Sequence, residues 1–167
     1  MSREIRKVAF DGKTVEIEYR ETKGAGGTDE LTTKFRCPDE PHPDFADALA
    51  ALRSYVSEIC GFCPCWHDAM QVTSVALSGE GGALSASITV HKIVPGSGGF
   101  LIVTTPKLPE RAPSAAEAAL PEGCGDAIRT LVREAELCMD GKRAQGDLFD
   151  EGTKPKKRGR RKSQEAA

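Results

Sequence analysis

Apolar and polar residues alternate with a period of two near the start of the chain. Val8 and Phe10, then Val15, Ile17 and Tyr19, fall on one side, against Thr14, Glu16, Glu18 and Arg20 on the other. That alternation marks half-buried strands, and Asp11-Gly12-Lys13 between the two runs closes a hairpin over residues 4 to 20. A glycine-rich stretch, Lys23-Gly24-Ala25-Gly26-Gly27, leads to a third strand from Leu31 to Arg36, with Leu31, Thr33 and Phe35 on one side. No Lys-Ser/Thr pair or helix follows those glycines, so they read as a mobile hairpin loop and not as a phosphate cradle.

The period then lengthens. Pro38, Pro41 and Pro43 stop the sheet, and Phe45, Ala48, Leu49, Leu52, Val56 and Ile59 recur at helical spacing. The spacing predicts one core-facing helix to about Cys60, with Asp44 as its cap. Three further strands are expected near residues 70 to 78, 83 to 93 and 99 to 105. Leu84, Ala86, Ile88 and Val90 alternate in the second of these, whereas Phe100-Leu101-Ile102-Val103 is apolar throughout. An unbroken run of this kind suits either a central strand covered on both faces or a strand with one face in an interface.

Residues 106 to 125 form a Pro/Ala-rich connection in which Ser114 and Glu117 have capping-box spacing for one short helix. Its length makes it a candidate flap. A last helix is expected from about Asp126 to Asp140, with Ile128, Leu131, Ala135 and Cys138 on its stripe and Gly141 at its end. The order is therefore strand-strand-strand-helix, twice. The two helices share a phrase, Asp47-Ala48-Leu49-x-x-Leu52 against Asp126-Ala127-Ile128-x-x-Leu131. The expected class is α+β: two βββα units joined in a mainly antiparallel six-stranded sheet with both helices on one face. The open sheet face is then a candidate partner surface and could pair two copies as a homodimer.

Charge divides the chain. Residues 1 to 152 carry 16 Lys+Arg against 24 Asp+Glu, a net −8, while residues 153 to 167 carry 7 against 1, a net +6. Three segments follow from this: an α+β domain over residues 1 to 141, a short peptide over 142 to 152, and a disordered basic tail over 153 to 167. An acidic body repels nucleic acid, so any DNA contact falls to Lys154, Lys156, Lys157, Arg158, Arg160, Arg161 and Lys162. The Arg158-Gly159-Arg160 core resembles an AT-hook but lacks the proline after the second arginine, which favours plain phosphate contact over minor-groove insertion. A solubilising tail is the simpler alternative. No run of about 18 apolar residues spans a membrane and no apolar stretch follows the N-terminal charges, so a cytoplasmic location is expected.

Between body and tail stands Gln145-Gly146-Asp147-Leu148-Phe149. With Gln145, Asp147, Leu148 and Phe149 in place, it resembles the Gln-x-(Asp/Ser)-Leu-Phe peptide that bacterial polymerases, repair proteins and some phage proteins insert into the bacterial sliding clamp. The longer segment Gly141-Lys142-Arg143-Ala144-Gln145-Gly146-Asp147-Leu148-Phe149 is similar to the ends of small phage or prophage proteins from replication and recombination regions. The resemblance implies a non-enzymatic DNA replication or recombination accessory protein that docks on the sliding clamp. The same five residues would equally serve a phage inhibitor of host replication, and Leu148 and Phe149 could instead fold back onto their own domain.

Cys60-Gly61-Phe62-Cys63-Pro64-Cys65-Trp66-His67 is the remaining candidate for chemistry. Cys60, Cys63, Cys65 and His67 have spacings that can close a tetrahedral zinc site, with Cys37 and His42 near the other end of the same helix. A zinc-binding nucleic-acid module or enzyme is thus the alternative reading. It lacks a second spaced Cys pair, and it lacks the His-x-Glu and Pro-Cys-x-x-Cys of zinc deaminases. Cys60 also fits the helix stripe, where cysteine acts as a small hydrophobe. Six cysteines in a cytosolic chain are expected to be reduced. No nucleophile-base frame or P-loop is present, so no enzymatic activity and no obligatory cofactor are expected.

Overall fold

A computed structural model describes residues 2–23, 29–79 and 83–144. The strands are β1 (Ser2–Phe10), β2 (Val15–Lys23), β3 (Asp29–Cys37), β4 (Met70–Ser78), β5 (Ser85–Ile93), β6 (Phe100–Thr104) and the short β7 (Leu108–Pro109). The helices are α1 (Pro43–Ala51), α2 (Arg53–Cys60) and α3 (Cys124–Met139), with a 3-10 helix at Pro64–Ala69. All strand pairs are antiparallel, in the order β3-β2-β1-β4-β5-β6, with β7 also paired to β5. Each βββ unit thus contributes one half of the sheet, and β1 joins β4 at the middle.

The alternation explains the layering. Val8, Val15, Ile17, Val72, Val75, Ile88 and Val90 turn to one face, where they meet Phe45, Leu49, Leu52, Val56, Ile128, Leu131 and Ala135 from the helices, all buried. Burying these side chains is the main driving force of the fold, at roughly 1.5–3 kcal/mol for each large one. The other face carries the polar positions. Across it Glu16 faces Arg36 and Glu18 faces Lys34, so opposite charges meet at facing positions. The hairpin turn is fixed by the Asp11 carboxylate, which accepts from the backbone N–H groups of Lys13 and Thr14 at 2.8 and 2.7 Å. Those two bonds hold the Asp11 carboxyl below its ordinary pKa. Gly12 takes the positive φ of 92° that the turn requires.

Several expectations are corrected. The first helix is two: the chain departs from α-helical bonding at Leu52, whose N–H reaches back only three residues to Leu49 at 3.1 Å. The cap is His42, whose Nδ1 accepts from the Asp44 N–H at 3.3 Å. Pro43 explains the shift, because proline is pre-organised for the first helical position and Asp44 then falls inside the first turn. Ser114 and Glu117 form a turn without a helix. The ends of the connection around them are fastened by β7, by buried Leu120, whose N–H donates to the Pro109 carbonyl at 2.9 Å, and by the Glu110–Arg129 ion pair at 2.6 Å, while residues 111 to 118 between those points are exposed. β6 is not a central strand; it closes one end of the sheet. The glycine-rich loop at 24–28 lies outside the described residues, as does everything beyond Ala144. No helix among the described residues is long and apolar enough to cross a membrane.

Candidate functional site

Three places in the fold hold chemistry the sequence pointed to. The first is where the chain leaves the domain. After α3, Gly141 adopts φ 105° and its N–H, with that of Lys142, caps the last carbonyls at Cys138 and Leu137. Lys142 Nζ then bridges Asp44 at 2.7 Å and Glu134 at 2.8 Å. The ammonium holds the Asp44 carboxyl below its ordinary value, and the two carboxylates raise the lysine. Arg143 pairs with Pro41 as an isolated bridge, donates to the Cys138 carbonyl and lies 3.7 Å from the Asp39 carboxylate, while the Ala144 N–H donates to the Glu40 carbonyl at 3.3 Å. Residues 142 to 144 are thus held against the domain by these contacts. Gln145, Asp147, Leu148 and Phe149, and the basic residues 154 to 162, lie outside the described residues.

The second place is the Cys-rich turn. Gly61 ends α2 at φ 66°, and Pro64 starts the 3-10 helix, with the Cys63 sulfur accepting from the Cys65 N–H at 3.3 Å. The tight turn sets Cys63 and Cys65 5.2 Å apart at Cα, within reach of a disulfide, and the two sulfurs are joined. The expectation of six reduced thiols is corrected at this pair; Cys37, Cys60, Cys124 and Cys138 are free. Burial pushes the Cys60 thiol up, and burial with the nearby Glu58 charge takes Cys124 up to about 11, so both remain protonated at neutral pH. His67 holds a buried Nε2 with no hydrogen-bond partner. No group of three or more His, Cys, Asp or Glu side chains among the described residues could hold a metal ion, so Cys60, Cys63, Cys65 and His67 do not converge as a ligand set.

The third place is the β6 end of the sheet, and sequence reasoning saw only half of it. Phe100, Leu101 and Ile102 are 57%, 55% and 64% exposed, and Ile93, paired with Phe100, is equally bare. Phe100 stacks on His91 with ring centroids 4.5 Å apart. Lys92 lies 3.7 Å above the ring of Trp66, and that ring packs against Phe62. The run of four apolar residues signalled an unusual strand; the Trp66–Lys92 and His91–Phe100 contacts depend on tertiary placement and had no sequence signal.

A depression of ≈ 350 Å³ between β1, β4 and α3 is lined by Arg3, Arg6 and Arg129 over Ile5, Leu84 and Ile128. Each of its arginines is already paired, with Glu21, Glu4 and Glu110 respectively, so it presents no uncompensated cation to an anionic ligand. No protein-family model, curated protein or solved structure matches the chain.

Proposed function

We propose that this chain is a non-enzymatic accessory protein of DNA replication or recombination. It docks on the bacterial sliding clamp through Gln145, Asp147, Leu148 and Phe149, and contacts DNA phosphates through Lys154, Lys156, Lys157, Arg158, Arg160, Arg161 and Lys162. The observation that carries the reading is the match of Gln145-Gly-Asp-Leu-Phe149 to the clamp peptide, one residue beyond an anchored exit. One feature of the domain supports it: Lys142, Arg143 and Ala144, the residues just before the peptide, are each tied to the α1 side of the domain. A tether at a fixed point raises the local concentration of the domain at the clamp, by an amount set by linker length. The acidic body leaves phosphate contact to the tail.

Calorimetric titration of the full chain into purified bacterial sliding clamp tests this. Replacing Leu148 and Phe149 together by Ala is expected to cost about 2–4 kcal/mol of binding, as removal of apolar anchors does, while the circular dichroism of the domain stays unchanged. Equal affinity of the wild type and the double variant contradicts the proposal.

A further inference from the structure

β6 ends the sheet with its outer backbone groups unpaired among the described residues. Which residues those are follows from the ladder. Thr105 N–H donates to Ile88 at 2.9 Å, and Val94 N–H donates to Gly99 at 3.0 Å, both in line with the β5–β6 register. Hydrogen-bonding direction alternates along an antiparallel strand, so Leu101 and Val103 turn their N–H and C=O groups to β5. Phe100, Ile102 and Thr104 turn theirs outward.

An outer edge of this kind is a template for another strand, and proteins commonly blunt it with charge, proline or a bulge. Phe100–Thr104 contains none of these. We propose that β6 pairs antiparallel with β6 of a second copy of this chain, about a two-fold axis through Ile102, to form one continuous sheet. The register is self-matching: Ile102 faces Ile102, and Phe100 faces Thr104 in both directions. All three outward-turned residues then meet outward-turned residues, giving six reciprocal backbone hydrogen bonds by the alternation rule. No charged residue lies in the strand, so the symmetric pairing opposes no like charges. Both faces gain apolar contact: Phe100 and Ile102 on the open face, and Leu101 on the face of Lys92 and Trp66. The same molecule's other edge is a poor match for β6, because β3 brings Glu30, Lys34 and Arg36 against an uncharged strand. An isologous dimer is therefore favoured over a head-to-tail chain. Each dimer carries two C-terminal segments.

Light scattering of the full chain is expected to give twice the mass of one chain. Ile102→Pro removes one outward N–H and leaves the Leu101 and Val103 ladder to β5 intact, the placement in which an edge strand tolerates proline. It is expected to weaken self-association by at least about tenfold. Ile102→Lys, which sets two like charges face to face, serves as the second variant if the proline chain loses its fold by circular dichroism. Ile102→Cys at the axis is expected to yield a covalent dimer on mild oxidation above the wild-type background, since facing Cα atoms of such a pair lie about 5.5 Å apart. Leu101→Cys, offset from its own copy, is not. A wild-type chain that stays monomeric at about 100 μM overturns the proposal, as does a dimer that persists undiminished in Ile102→Lys, or equal cross-linking of Leu101→Cys and Ile102→Cys.

Discussion

The two edges of the sheet are built from strands of opposite character. β3 carries Glu30, Lys34 and Arg36, and its charges are answered on β2: Lys34 meets Glu18 at 2.8 Å, Arg36 meets Glu16 at 3.3 Å, and Glu30 meets Arg20. Charged side chains along an outer strand discourage a further strand from adding. β6 has no charge, and three of its five residues are large, apolar and exposed. Both strands flank the same core, so the difference is not a matter of stability. It shows that one edge is protected against contact and the other is left open to it.

The sharpest way to separate support from contact is to cut into the core beneath β6. Ile88 on β5 is fully buried and pairs with Val75. Ile88→Ala is expected to cost about 2–5 kcal/mol in chemical denaturation, the range for removing a buried Ile. Substituting exposed Ile102 by Thr, with both chains compared at a dilution where they are monomeric, is expected to change the same measurement by no more than about 0.5 kcal/mol. Equal losses at the two positions would mean that Ile102 belongs to the domain's own packing.

Most of this architecture was legible in the sequence because a single periodicity governed each element. Val15, Ile17 and Tyr19 at period two and Ile128, Leu131, Ala135 and Cys138 at helical spacing placed β2 and α3 on the core face. What could not be read there was set by neighbours. Whether Phe100-Leu101-Ile102-Val103 is central or terminal depends on strand order, which an apolar run does not encode. The break at Leu52 leaves the apolar stripe intact and so is silent in the pattern. Capping by His42 depended on Pro43 taking the first helical position. The Cys63–Cys65 pairing depended on the Pro64 turn and not on the spacing of cysteines along the chain.

The second way to test the contrast is to erase it. Replacing Glu30, Lys34 and Arg36 together by Val removes those three charges from β3, and a molecule with two open edges can add copies without closing. Light scattering is expected to show growing, concentration-dependent assemblies in place of a fixed mass. A finite particle of unchanged size would mean that charge is not what protects β3.

The smallest effect concerns pH. The Lys34 ammonium beside Glu18 holds its carboxyl below the ordinary value. A carboxyl with a depressed folded pKa stabilises the fold fully above its unfolded value and loses that contribution as pH falls through the folded one. The protection factors of β3 amides in hydrogen exchange, which are taken relative to the intrinsic rate at each pH, are therefore expected to fall on acidification through the carboxylate range, and Glu18→Gln is expected to flatten that dependence. The same acid response in Glu18→Gln would assign it elsewhere. Exposure of the pair keeps the effect modest.

The claim on which the functional account rests is met most directly by competition on the clamp. A synthetic peptide of residues 142 to 152, added to the complex of full chain and bacterial sliding clamp, is expected to release the full chain in a dose-dependent way. The same peptide with Leu148 and Phe149 replaced by Ala is expected to release none. Full chain that remains bound at saturating wild-type peptide, or that never binds the clamp, would contradict docking through Gln145 to Phe149.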